Sequence, residues 1–169
     1  MSDPFRDDTI EVIVEEVIDT LRYALVNMFP NDIANAYFGD IVNYLPSAFL
    51  GPNQQQSAVV AIAPDFDHEV EGSQTAVNEH RWVNLNIMVI VNITPDFEAM
   101  PSEAFGERRL LRLTEKIRSY LVKTANETID DRVSHVRVGD IDWTWAVRNE
   151  QALRISMINY RFRIRVNRM

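Results

Sequence analysis

The stretch ALRISMINYRFRIRV, residues 152–166, decides the fold class, because it has the alternating pattern of a long β-strand. Its second half alternates between arginine and apolar residues: Tyr160, Arg161, Phe162, Arg163, Ile164, Arg165 and Val166. Side chains of a strand point alternately to two faces. We therefore expect one apolar face that packs on a core and one face that carries a row of guanidinium groups.

A second strand is predicted immediately before this one, in RVSHVRVGDIDWTWAV, residues 132–147. The two strands flank RNEQ, residues 148–151, and are expected to form an antiparallel hairpin. Apolar residues change from even to odd positions at Gly139-Asp140, where glycine would permit a β-bulge.

Earlier segments complete the predicted order of elements. Apolar residues at three- and four-residue steps indicate helices over residues 8–29 and from Ser102 to about residue 125, and less clearly over 31–50. Continuous or alternating apolar runs predict strands at 57–64, ended by Pro64, and at 81–93. We expect one α+β domain over residues 1–169, with a mainly antiparallel sheet of about four strands and two main helices on one face.

Composition excludes several classes of protein. The chain has 169 residues and no cysteine, which rules out disulfides, thiolate catalysis and cysteine-based zinc sites and suits a reducing cytoplasm. No apolar stretch is long enough to span a bilayer, so no membrane partner is expected. There is no G-x-S-x-G, H-E-x-x-H or glycine-rich phosphate-loop pattern. We expect no enzyme activity, no metal and no cofactor.

Charge is distributed unevenly along the chain. Residues 1–107 contain 18 acids and 3 bases, and residues 108–169 contain 7 acids and 14 bases, which gives −15 and +7 and the net −8. Since both parts have regular apolar patterns, we expect a folded body with faces of opposite sign, which can stack on copies of itself or on complementary partners.

The connection over residues 64–80 is acidic and is interpreted as a long mobile loop or a hairpin arm. Its acids could bind a hard cation, but a solvated acidic segment is the favoured interpretation. They are Asp65, Asp67, Glu69, Glu71 and Glu79.

The order of elements resembles the tail terminator (tail completion, or neck) proteins of long-tailed bacteriophages. The likeness is carried by the amphipathic helix DDTIEVIVEEVIDTLRYAL, the strand AVVAIAP, the long strand RWVNLNIMVIVNI, the helix ERRLLRLTEKIRSYL and the closing hairpin rich in Trp and Arg. It covers nearly the whole chain as a likeness of layout, without an invariant motif.

This resemblance implies a structural virion protein, located in the tail or neck and assembled in the host cytoplasm. It implies a hexameric ring that caps the tail tube and offers a docking surface to the head connector or head-closure protein. Contact with the tape measure protein is a further expectation, and DNA would only pass through the lumen.

The arginines are the expected contact residues, either between subunits or between rings. The arginine row could instead be a solvated face or bind nucleic acid, with aromatic residues stacking on bases. Two alternative functions therefore stay open: a tail-tube or head-closure subunit, and a small nucleic-acid-binding protein. The expected interface residues are Arg108, Arg109, Arg112, Arg154, Arg161, Arg163 and Arg165.

Overall fold

The computed structural model describes residues 10–39, 58–70, 78–92, 106–124, 133–148 and 151–167. They form two helices and one five-stranded sheet with strand order β1-β2-β3-β5-β4. The elements are α1 (Ile10–Met28), β1 (Ile33–Phe38), β2 (Ala58–Val70), β3 (Asn78–Asn92), α2 (Gly106–Lys123), β4 (Val133–Arg148) and β5 (Gln151–Asn167). The expected α+β class is confirmed.

The sheet differs in detail from the expected four antiparallel strands. β2–β3, β3–β5 and β5–β4 are antiparallel, but β1 pairs with β2 in parallel, so the sheet is mixed and has one strand more. The extra strand is β1, and the helix expected over 31–50 is wrong for residues 33–38. Residues 40–57 lie outside the described residues.

A register shift explains the false helical signal in β1. The shift falls between Ile33 and Asn35, so Ile33 and Ala36 are both buried in the main core although they are three residues apart. Tyr37 packs against a cluster on the opposite face. Apolar residues on both faces, with one irregular step, imitate the three- and four-residue spacing of a helix.

The second strand continues beyond Pro64, where it was expected to end. The carbonyl of Ile62 accepts a hydrogen bond from the amide of Gly39, the residue that follows β1. The even-numbered residues of β2 therefore point their backbone N–H and C=O groups toward β1. Pro64 has the same parity, and β1 ends at Phe38, the partner of Ile62. The missing N–H of Pro64 therefore removes no ladder hydrogen bond.

The main core lies between the sheet and both helices, as expected. One face of β3 is buried there together with apolar residues of β5: Val83, Leu85, Ile87, Val89, Val91, Ile158, Tyr160, Phe162 and Ile164. A smaller buried cluster lies on the other face of the sheet and includes Val59, Met88, Ile90 and Ile155.

The predicted β-bulge in β4 is present. Val138 pairs with Tyr160 and Ile141 with Ile158, so Gly139 and Asp140 lie opposite the single residue Asn159. A Cβ atom on Gly139 would lie 3.1 Å from Oδ1 and 3.2 Å from Cβ of Asn159, so a larger residue here would require the Asn159 side chain to shift. The bulge leaves the apolar residues on both sides of it on the helix-covered face of the sheet.

Candidate functional site

The arginine row of β5 lies on the face of the sheet opposite the helices. Tyr160, Phe162 and Ile164 are buried beneath the helices, whereas Arg161 and Arg163 alternate with them and are half-buried. The expectation that the arginines avoid the main core is confirmed for these two residues. The backbone of Arg165 continues the strand opposite His80, and its side chain is outside the described part of the structure.

Trp82 of β3 is the centre of a cationic cluster on that face. The guanidinium groups of Arg161 and Arg137 lie over its ring, 4.7 and 4.9 Å from the ring centroid. His135 stands beside the same ring at a centroid distance of 6.4 Å. Strand register produces this arrangement, because Arg161 pairs with both Asn84 and Arg137, and Arg163 pairs with both Trp82 and His135. Cation–π contacts of this kind hold the guanidinium groups against the protein surface.

The acidic segment approaches the same end of the sheet. The backbones of Asp65, Asp67 and Glu69 belong to β2, with Asp65 opposite Asn84 and Glu69 opposite Trp82, while Glu79 lies in β3. Over these residues the segment forms the arms of a hairpin, which is one of the two expected forms, and is not a loop. Glu71 lies outside the described residues.

The remaining predicted interface residues lie on the opposite face of the sheet. Arg154 pairs with Val91 of the main core and with Trp145, so it is on the helix-covered side. Arg108 and Arg112 are exposed on α2, and the Arg109 side chain is outside the described part. The structure therefore divides the predicted arginine set between two surfaces.

The edge formed by β4 and α2 carries exposed apolar side chains. Trp145 is 66% exposed and Trp143 is 40% exposed, and both project from the helix-covered face of β4. Arg118 of α2 donates a hydrogen bond from Nε to the carbonyl of Gly139 at 3.3 Å, which identifies the side of α2 that faces β4. Leu111 and Val122, seven residues before and four after Arg118, share that side and are exposed.

The opposite edge, formed by α1 and β1, contains a cleft of about 420 Å³. Its lining residues are Asp19, Arg22, Tyr23, Val26, Asn35 and Ala36. Arg22 Nη1 forms a salt bridge with Asp19 at 3.0 Å, and its Nε donates to the carbonyl of Ala36 at 3.0 Å. The amide of Ala36 donates to Asn35 Oδ1 at 2.8 Å. Both the amide and the carbonyl of Ala36 are therefore hydrogen-bonded to side chains.

Two parts of this geometry were not predicted from the sequence. The Trp82 cluster depends on strand register, which periodicity alone does not give. The cleft depends on β1, which was interpreted as a helix. The isolated Trp82 at an otherwise polar position of β3 was the one signal that pointed to the cluster.

The described residues contain no cluster of three or more side chains that could hold a metal ion. Within the same part of the chain, neither helix combines the length and the apolar character needed to cross a membrane. The described surface carries exposed apolar side chains at its two edges and a cluster of arginines around Trp82 on the face opposite the helices.

No protein-family model matches the chain, and no curated protein matches it with significant sequence similarity.

Proposed function

We propose that the protein is a structural subunit of a bacteriophage tail, which forms a ring at the end of the tail tube and provides the surface for head joining. The proposal rests on the layout described above and on one structural observation. The two helices lie on the same face of the sheet, α1 over β1 and β2, and α2 over β3, β5 and β4, and their exposed charges have opposite signs.

Among the described side chains, the exposed charges of α1 and those of α2 differ in sign. The exposed acids of α1 are Glu15, Glu16 and Asp19. The exposed charged residues of α2 are Arg108, Arg112, Glu115, Lys116 and Lys123, which are four cations and one acid. The exposed charges of α1 are therefore acidic and those of α2 are mainly basic, while β4 exposes the two acids Asp140 and Asp142. Such a body favours head-to-tail contacts, in which different surfaces of identical subunits meet.

Head-to-tail contacts close into a ring when the rotation between subunits permits it. A ring has two further surfaces, above and below, which suits a protein that joins a tail tube to a head connector. Tail-tube and head-closure subunits are ring-forming proteins of the same class and remain the nearest alternatives.

A nucleic-acid-binding function has weaker support. Tyr160 and Phe162 are buried, so they are not placed to stack on bases. Trp143 and Trp145 lie on the opposite face of the sheet from Arg161 and Arg163. These four aromatic residues therefore do not line a groove with Arg161 and Arg163, as they would in a single-strand binder. The aromatic residue that does share the arginine face, Trp82, has the guanidinium groups of Arg161 and Arg137 over its ring.

Electron microscopy of the purified protein at high concentration tests the proposal, together with native mass spectrometry. We expect closed rings, and antibody labelling should mark one end of the tail in virions of the phage that encodes the chain. Labelling along the whole tail would favour a tube subunit. A stable two-fold dimer in solution and no label on virions would contradict the proposal. Salt-sensitive DNA binding without rings would favour the nucleic-acid alternative.

A further inference from the structure

The exposed large apolar side chains fall into two groups at opposite edges of the sheet. Seven such residues occur among the described side chains. Tyr23, Met28 and Phe38 belong to α1 and β1, and Leu111, Val122, Trp143 and Trp145 belong to α2 and β4. Since β1 and β4 are the two ends of the strand order, the two groups are separated by the width of the sheet.

Trp145 is the most exposed apolar residue of the β4 edge, at 66%. It lies in the part of β4, from Ile141 to Arg148, that is held by an uninterrupted antiparallel ladder to β5, so its backbone position is fixed. Tryptophan is one of the three residue types enriched among the side chains that contribute most of the binding energy at protein interfaces. Its indole N–H also needs an acceptor when it is buried by a partner.

The cleft between α1 and β1 has the size and chemistry to receive such a side chain. Its volume is about 420 Å³, and its lining combines the apolar surfaces of Tyr23, Val26 and Ala36 with the polar side chains of Asn35 and of the Asp19–Arg22 ion pair. The Asp19 side chain is 60% exposed and can accept a hydrogen bond from an indole N–H.

The outer edge of β1 is arranged for side-chain docking and not for addition of a strand. The backbone amide and carbonyl of Ala36 already bond to Asn35 and Arg22. A partner strand could not use these groups without displacing both side chains. An inserted side chain leaves these bonds intact.

We propose that Trp145 of one copy inserts into the cleft between α1 and β1 of a second copy. The proposal rests on the ring function proposed above and names its subunit contact. Asp19 in the cleft, with Glu15 and Glu16 about one turn before it on α1, would face the cations of α2 in the neighbouring copy, which fixes the direction of assembly. The inserted Trp145 side chain is called the knob. Because the knob and the cleft lie on different edges of the sheet, each copy uses both, and the contact is repeated around the ring.

Two variants that each damage one side of the contact test the proposal. Trp145→Asp removes the knob and leaves the cleft intact. Asp19→Arg places a long cation in the cleft and leaves the knob intact. Matched controls are Thr144→Asp, an exposed neighbour of opposite parity on β4, and Asn27→Arg, an exposed residue of α1 outside the cleft. Circular dichroism melts establish that all four variants fold, and mass photometry with sedimentation measures assembly.

We expect each of the two variants to assemble at least tenfold more weakly than wild type, and the controls to assemble normally. An equimolar mixture of the two should form a one-to-one heterodimer that grows no further, because only one intact knob and one intact cleft can meet. If both variants form rings like the wild type, or if their mixture gives no heterodimer, the inferred contact is wrong while the ring function stands. If wild type forms no ring in solution or on tails, the ring function and the contact both fall.

Discussion

The hydroxyl groups of Thr114 in α2 and Ser156 in β5 lie 2.7 Å apart, and both side chains are completely buried. They form a polar contact within the otherwise apolar interface between helix and sheet. A buried hydroxyl without a partner is unfavourable, so α2 has one preferred position along β5. That position also sets where Leu111, Arg118 and Val122 stand relative to β4.

Removing both of these hydroxyls should destabilise the fold by less than the sum of the two single removals. We expect Ser156→Ala or Thr114→Val to lower the free energy of unfolding by about 1–3 kcal/mol, because the remaining hydroxyl loses its partner. The double variant should be closer to wild type than the sum of the two singles. Urea unfolding of the four proteins measures the coupling. Thr124→Val is the control, since that hydroxyl is only half-buried at the end of the helix and bonds to the carbonyl of Tyr120. Additive single effects would contradict this explanation.

The stack of Arg161 on Trp82 should contribute measurably to the free energy of unfolding, whereas an exposed arginine without such a contact should not. Arg161→Gln is expected to cost about 0.5–2 kcal/mol through loss of the cation–π contact. In a Trp82→Leu background the same substitution should cost less, and thermal melts of this double-mutant cycle provide the test. Arg112→Gln, an exposed position of α2, should change stability by less than about 0.5 kcal/mol. Equal effects at both arginines would refute the contribution of the stack.

Stability should fall at alkaline pH because of Tyr160. Burial raises the pKa of Tyr160 from 10.0 to about 12, and the neighbouring Tyr120 adds to the rise. The unfolded chain loses this proton near pH 10 while the folded protein retains it, so the contribution is complete below pH 10 and is lost between pH 10 and 12. At about 1.4 kcal/mol per pKa unit, the loss amounts to roughly 2–3 kcal/mol. Urea midpoints between pH 9 and 12 should decline less steeply in Tyr160→Phe than in wild type. Parallel curves would show that the tyrosine is not responsible.

Engineered cysteines can count the subunits of the assembly, because the chain contains no cysteine of its own. Trp143→Cys and Asn27→Cys keep Trp145 and the residues that line the cleft, and both positions are exposed. A mixture of the two variants should give a mixed disulfide on mild oxidation, and each variant alone should remain uncrosslinked. A protein that carries both cysteines should give a ladder on a non-reducing gel that stops at the number of subunits in the ring. Symmetric crosslinking of Trp143→Cys to itself would indicate a two-fold contact instead.

Periodicity predicted most of the fold because most elements bury one regular face. The alternation in β3 and β5, and the three- and four-residue steps in α1 and α2, each correspond to a face that packs in the main core. The bulge at Gly139 could be predicted for the same reason. The apolar residues change there from even to odd positions, and those on both sides of the bulge lie on the same face of the sheet.

Predictions from the sequence failed where an element does not bury a single regular face. Residues 33–38 bury side chains on both faces and contain a register shift, which removes the period of two. Pro64 suggested the end of a strand, yet it lies beyond the last partner in β1. The Trp82 cluster and the cleft are made from residues distant in the chain, and their formation depends on strand register and helix placement that no local pattern specifies.

The bulge at Gly139 and Asp140 has a consequence for solubility. β4 is 16 residues long and lies at an end of the strand order, which makes it a template for fibrous aggregation. The bulge interrupts that template and increases the local twist, so that a second copy cannot align along its whole length. Between the pairs Val138–Tyr160 and Ile141–Ile158, β4 has two residues where β5 has one. Deleting Asp140 would make these numbers equal, so both flanking pairs would be kept and the strand would be straighter at this point. Such a deletion variant should fold, bind thioflavin T on prolonged incubation, and precipitate where the wild type stays in solution.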